Sequence, residues 1–347
     1  MKIINTALCS FGMSGLVFHA PFINAHPGFN LYAVWERSKK TAAEIYPGIR
    51  SFDTLESMLA DEAIELVIVN TPNQTHFEFA KKALLAGKDV LVEKSFTVTV
   101  SEAEELIRIA SEMNRHLSVF QNRRYDSDYK TVKKIVDEGL LGAITDAEFH
   151  FDRYKPGLSP KLHKELPIHG AGLLHDLGPH LIDQALYLFG LPGSLVGSLK
   201  TFRPGSQVND HFDLTLFYPT FTIRLKAGLL VKEILPAYKL LGTKGAFTKL
   251  RGDIQEDDLK RGLKPGSPDW GIEPASAAGI LVFNGNEQLS GATIPSLQGN
   301  YMEFYDGLYE AIVHGNRLPV SARDGLNVMR VIEAVQESDK TKKVILF

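Results

Sequence analysis

The chain has 347 residues, with 38 Lys plus Arg against 41 Asp plus Glu, a net charge of −3 with His neutral, and 44% apolar side chains. That balance describes an ordinary globular protein long enough for two full cores, and it argues against a basic nucleic-acid-binding face. Cys9 is the only cysteine, which excludes an internal disulfide and a cysteine-held metal cluster.

Met1 to Leu8 run straight into a strand pattern, without the basic and long apolar stretches of a secretory leader. No window approaches the ~18 consecutive apolar residues of a membrane span, so a cytoplasmic protein is expected. Apolar runs predict strands at Ile3–Leu8, Leu31–Trp35, Glu65–Asn70, Val90–Val92 and His116–Phe120. Helical patterns fall between them, among them Thr75–Ala86 and Ser101–Asn114, the latter with Ser101 as its N-cap. Strands apolar on both faces and alternating with helices predict an α/β doubly wound parallel sheet.

The pattern changes after Asn122. A helix over Asp126–Glu138 is followed by alternating runs at Ala147–Arg153, Leu195–Phe202, His211–Phe217 and Phe221–Gly228, which predict an antiparallel sheet. One helix, Leu173–Phe189, crosses in the middle and is closed by Gly190. Arg251–Gly299 is rich in Gly, Pro and Asp and predicts long loops. Helices at Tyr301–His314 and Ala322–Ser338 and a short strand in Lys343–Phe347 complete the chain. The expected domains are 1–121, binding a nucleotide, and 122–347, binding substrate.

Ser10-Phe11-Gly12-Met13-Ser14-Gly15 stands where a Gly-x-Gly-x-x-Gly dinucleotide loop belongs, with Ser10 in place of the first glycine. Backbone amides there would hold phosphates, and a tight turn without a ligand is the alternative. Glu36 lies 21 residues past Gly15, where an acidic side chain bonds the adenosine ribose. Arg37 follows and would suit adenine or a 2′-phosphate. The carboxylate favours NAD by charge repulsion, and NADP stays open. Thr71, Pro72 and Asn73 follow the third strand and would border the nicotinamide half, or simply form a proline turn and a helix cap.

Lys94 follows an apolar strand at the edge where doubly wound sheets bind ligands. It would serve as a proton partner or a donor to a reacting oxygen, or else be a surface lysine paired with Glu93. Asp176 and His180 are spaced to share one helix face, with Asp183 one turn further. The carboxylate would orient the imidazole, which would take a hydroxyl proton. Pro179 argues for a late start or a kink, and an ordinary helix-end carboxylate with a satisfied histidine is the alternative. His163, His169 and His175 lie nearby, but no carboxylate pair completes a metal site.

Together these motifs resemble the glucose–fructose oxidoreductase / inositol dehydrogenase (Gfo/Idh/MocA) family over essentially the full length. The matching pieces are Ser10–Gly15 with Val17-Phe18-His19-Ala20-Pro21, Asn70–His76, Glu93-Lys94, Gln121-Asn122-Arg123-Arg124-Tyr125 and Asp176–Asp183. Phe151–Pro156, Gln255–Asp257 and Pro268–Gly271 resemble the scyllo-inositol dehydrogenase branch. The resemblance implies a Rossmann domain followed by an α+β domain with an open, mainly antiparallel sheet that forms a homodimer or homotetramer interface. It implies NAD(P)-dependent hydride transfer on a cyclic polyol or sugar, with Lys94, Asp176 and His180 as the catalytic set and His180 as acid/base. It adds His76, Glu93, Asn122, Arg123 and Trp270 to the cofactor site, and Arg153 and Tyr154 to the substrate site. Rival outcomes on the same scaffold are a homologue that binds nucleotide without turnover, and a glycosidase that cycles bound NAD. Ser95 replaces the family's usual proline after Glu-Lys, so an ordinary trans Lys94–Ser95 bond is expected.

Overall fold

The computed structural model describes residues 1–36, 40–160, 164–285 and 288–347. Arg37 and His163 lie outside the described residues. The chain forms two compact units. The first comprises Met1–Asn122, Gln255–Trp270 and Asn300–Leu326; the second comprises Arg123–Ile254, Gly271–Gly299 and Asn327–Phe347.

The first unit holds a parallel six-stranded sheet: β1 (Ile4–Leu8), β2 (Phe29–Trp35), β3 (Arg50–Phe52), β4 (Leu66–Val69), β5 (Asp89–Glu93) and β6 (Leu117–Phe120), in the order β3-β2-β1-β4-β5-β6. Every residue of β4 and β6 is buried, as an apolar run in a sheet covered on both faces must be. The order reverses between β1 and β4, so the turns leaving these two strands meet at the switch point where such sheets bind ligands. The three-residue edge strand β3 gives no apolar signal and is not predicted. The helix Val100–Glu112 is capped by Thr99, not Ser101. The Thr99 hydroxyl accepts from the Glu102 amide at 3.2 Å, and the Glu102 carboxylate accepts from the Thr99 amide at 3.1 Å. This reciprocal pair outcompetes a lone serine hydroxyl.

An aromatic cluster packs this unit. Phe22 stacks on Tyr305 with centroids 5.3 Å apart and meets Trp270 edge-on at 6.0 Å, while Phe120 meets Phe304 at 4.9 Å. Tyr301, Phe304 and Tyr305 come from the late helix and the residue before it, so the unit's core is closed by chain from far beyond Asn122.

The second unit is a nine-stranded sheet: β7 (Ile144–His150), β8 (Ser194–Lys200), β9 (His211–Phe217), β10 (Thr222–Gly228), β11 (Tyr238–Gly242), β12 (Gly245–Lys249), β13 (Gly279–Gly285), β14 (Gln288–Ile294) and β15 (Ile345–Leu346). Its order is β14-β13-β12-β11-β7-β10-β9-β8-β15. All neighbours are antiparallel except β7 and β10, which run parallel. Along β9 and β10 alternate residues are buried, Phe212, Leu214 and Leu216 against Ile223, Leu225 and Ala227, so one face forms the core.

Two expectations fail here. Arg251–Gly299 is not a set of loops: it contains a helix, Gln255–Lys260, and the β13–β14 pair. Its glycines and prolines punctuate short elements that composition alone averages away. The single helix Leu173–Phe189 is two, Leu173–Asp176 and Gly178–Phe189, parted at Leu177. Pro179 cannot donate to a preceding turn, but it fits the first turn of a new helix, where no donor is needed.

Candidate active site

In the first unit, the turn after β1 is drawn close to β4. A Cβ on Gly15 would lie 2.3 Å from the Ser10 carbonyl oxygen and 2.9 Å from Asn70 Nδ2, so only glycine fits there. A Cβ on Gly12 would meet only Ser10 Oγ, at 3.5 Å, which leaves that side open. Ser10, standing where the motif has glycine, accepts the Gly12 amide on its hydroxyl at 3.2 Å, so that amide is engaged within the loop. Asn70 Nδ2 donates to the Ser10 carbonyl at 2.8 Å and ties β4 to the turn.

Two buried amide oxygens, Asn70 Oδ1 and Gln121 Oε1, have no hydrogen-bond partner among the described residues. They follow β4 and β6 at the ligand-binding edge of the sheet. A buried acceptor left unfilled is costly, and a ligand with hydroxyl and amide donors fills it. The open side of Gly12 and these two acceptors fit a nicotinamide dinucleotide.

Glu36 is only 6% exposed. Its Oε1 accepts the Thr41 and Ala42 amides at 2.9 and 3.3 Å, and its Oε2 accepts the Ser51 hydroxyl at 3.2 Å. Both oxygens are therefore already engaged within the chain. Thr71 and Thr75 share a hydroxyl contact at 2.7 Å, while Pro72 is exposed and Asn73 opens a 3-10 turn. His76 is buried, with Nε2 2.8 Å from the Thr71 carbonyl and Nδ1 2.7 Å from the Ser95 carbonyl. Burial holds its pKa below the ordinary histidine value.

Glu93 ends β5, and Lys94 follows it. The Lys94–Ser95 peptide is cis, against expectation. The ordinary trans preference is overridden here by the packing around the bond: Ser95 is buried and its carbonyl is bonded to His76. Phe11, Met13 and Ser14 lie in the nucleotide loop, Met13 exposed and Ser14 bonded to Glu93. Asn122 is buried at the start of the 3-10 turn Asn122–Tyr125. Trp270 is buried within the first unit, its indole N–H donating to Gln255 Oε1 at 3.2 Å.

In the second unit, His180 is buried in the opening turn of Gly178–Phe189, its ring 6.3 Å from that of Phe151. Asp176 ends the preceding short helix, with carboxylate oxygens 3.3 and 3.4 Å from Lys164 Nζ. The break at Leu177 removes the shared helix face that the four-residue spacing implied. Asp183 is taken by Arg124 in a two-pronged pair, both bonds 2.7 Å. Phe151 carries three guanidiniums, those of Arg123, Arg153 and Arg251, at 5.1, 4.8 and 3.9 Å. Tyr154 is exposed beside Lys232. Among the described residues, no group of three or more His, Cys, Asp or Glu is placed to hold a metal ion, and no helix is long and apolar enough to cross a membrane.

Residues 4–121 match the family model described as an oxidoreductase family NAD-binding Rossmann fold, and residues 133–346 match the companion C-terminal alpha/beta domain. The chain belongs to the Gfo/Idh/MocA oxidoreductase family. It is 36% identical to scyllo-inositol 2-dehydrogenase (NADP(+)) IolW of Bacillus subtilis over 99% of this chain and 96% of that protein. It is 29% identical to D-glucoside 3-dehydrogenase of Escherichia coli over 54% of this chain and 55% of that one. The solved structure of yvaA from Bacillus subtilis superposes with a TM-score of 0.96 at 35% identity, covering 100% of this chain and 99% of that one. Membership makes this chain an enzyme, a dehydrogenase acting on CH–OH groups. The Rossmann fold and the open, mostly antiparallel sheet that the motifs implied are both present.

His19 and Tyr305 went unnoticed as site residues. His19 stands one turn past Gly15 among the apolar residues Leu16, Val17, Phe18 and Ala20, which is a usable signal. Tyr305 contacts it from 286 positions away, and no local pattern encodes that.

Proposed function

We propose that this enzyme interconverts a secondary alcohol and a ketone on a cyclic polyol or sugar of the inositol type. A bound nicotinamide dinucleotide supplies the hydride acceptor or donor. His180 takes the hydroxyl proton on an imidazole nitrogen in the oxidative direction and returns it in reverse. Its burial against Phe151 keeps bulk water from competing for that proton. Lys94 donates to the reacting oxygen, and Asp176 orients the pair. Arg153 and Tyr154 contact substrate hydroxyls, and the half-exposed face of the second unit's sheet pairs with further copies of the chain. The match to a scyllo-inositol dehydrogenase along nearly the whole chain is the observation that carries this reading.

The dinucleotide is NAD or NADP. A carboxylate at Glu36 would repel a 2′-phosphate and favour NAD, but its oxygens are already bonded to Thr41, Ala42 and Ser51. Engaged in this way it offers the ribose hydroxyls less, while its charge still disfavours a 2′-phosphate, so NAD is preferred by no more than about tenfold in kcat/KM, or about 1.4 kcal/mol. Absorbance at the reduced-nicotinamide band, with each cofactor across inositol isomers and simple hexoses, tests both statements. Turnover of one or more cyclic polyols supports the reading. A panel in which none of these compounds reacts with either cofactor refutes it.

A further inference from the structure

Glu93 does more than precede Lys94. Its Oε2 accepts the Lys94 amide at 3.1 Å, while its Oε1 accepts the Ser14 hydroxyl and faces His19 Nε2 at 3.1 Å. The fully buried His19 ring meets Tyr305 Oη with its other nitrogen, Nδ1, at 2.9 Å. Tyr305 in turn donates to the Phe18 carbonyl at 2.6 Å.

The carbonyl of Phe18 fixes the direction at one end of this chain. A carbonyl has none to give, so Tyr305 supplies the hydrogen toward Phe18, and its oxygen accepts from His19 Nδ1. Glu93 accepts from Ser14 and from the Lys94 amide. Burial pushes its carboxyl upward, but the His19 and Ser14 donors and the Lys94 charge outweigh burial and hold it below its ordinary value. The His19 ring thus donates to Tyr305 from Nδ1 and meets the buried Glu93 carboxyl at Nε2, so both ring nitrogens are engaged.

A buried polar network is a poor way to gain stability, since packed apolar side chains of equal volume do as well or better. It does fix geometry. This one joins the dinucleotide loop, through Ser14, to the backbone of Lys94. On the other side of Lys94, His76 grips the Ser95 carbonyl and anchors it to the turn after β4.

We infer that His19 is a positioning residue, holding Glu93 so that the dinucleotide loop and Lys94 keep one fixed registration. The inference rests on Lys94 acting at the substrate oxygen. Its test is a double-mutant cycle of His19→Phe with Lys94→Ala, read by kcat, together with dinucleotide Kd from reduced-nicotinamide fluorescence and the melting temperature of the cofactor-free protein. His19→Phe lowers kcat at least about tenfold and weakens dinucleotide binding several-fold, while in the Lys94→Ala background it changes kcat by less than about twofold. His19→Gln, which keeps one donor toward Glu93, regains part of the loss. Should His19→Phe fail to fold, Tyr305→Phe takes its place in the cycle, because it removes the acceptor for Nδ1. An equal fold-loss in both backgrounds overturns the inference and leaves the role of Lys94 intact. A Lys94→Ala enzyme with unchanged kcat overturns both.

Discussion

The chemistry assigned to His180 makes a prediction at the scale of one side chain. His180→Ala lowers kcat by about 10²–10⁴-fold, as removal of a general acid/base does, and leaves dinucleotide Kd within about twofold. Stopped-flow turnover and fluorescence titration check the two halves separately. Residues of this kind are legible because their position is local: Lys94 is visible at the end of an apolar run, and Gly15 from its spacing. The partners that hold them are not. Glu93 looks like a strand-end acid beside a lysine, yet its bonds go to Ser14 and His19, 79 and 74 positions away. Glu36 illustrates the opposite limit. Its position was readable from spacing, but its engagement by Thr41, Ala42 and Ser51 depends on how the chain turns after β2.

At the scale of elements, the short helix Leu173–Asp176 buries His175, and the His175 Nε2 lies 3.2 Å from Gln336 Nε2. The amide nitrogen can only donate, so this ring nitrogen accepts and the imidazole is neutral. Burial, with His169 nearby, pushes its pKa down from 6.5 to about 4. The unfolded chain thus binds a proton that the folded one refuses. The associated stability is complete above pH ~6.5, falls as pH drops toward ~4 and is flat below, amounting to about 3 kcal/mol in full. Urea unfolding of wild type and His175→Gln at pH 7 and 4.5 measures it: the variant loses about 2 kcal/mol less between these two pH values. A wild-type slope in the variant refutes the assignment. The same segment shows which element boundaries a sequence discloses. Pro179 announced a discontinuity, and the break came at Leu177. Ser101 resembles a cap because the acids after it look like a first turn, whereas the Thr99–Glu102 reciprocity appears only when the two are counted as a pair. The β13–β14 pair was hidden by its glycines, and β3 by its brevity.

At the scale of the whole molecule, the parallel, doubly wound character of the first sheet followed from strand–helix alternation, because parallel neighbours need crossovers. The chain's return to that unit was not legible. Gln255–Trp270 and Asn300–Leu326 belong with Met1–Asn122, and nothing in their composition marks them as visitors from the later chain. They bring Trp270, Tyr301, Phe304 and Tyr305, all buried. A fragment ending at Asn122 therefore exposes Phe22 and Phe120, lacks the aromatic cover for its core, and shows no cooperative unfolding. Near-UV circular dichroism and a urea titration of that fragment decide this, and a sharp native-like transition would contradict it.

The same interleaving sets a timetable for biosynthesis. The first unit is complete only once Leu326 has left the ribosomal tunnel, so strands made at the outset wait for the closing helix. At ~5–20 residues per second that delay is on the order of tens of seconds. Throughout it a half-covered parallel sheet, β4 and β6 foremost, is exposed to chaperones and to its neighbours on the polysome.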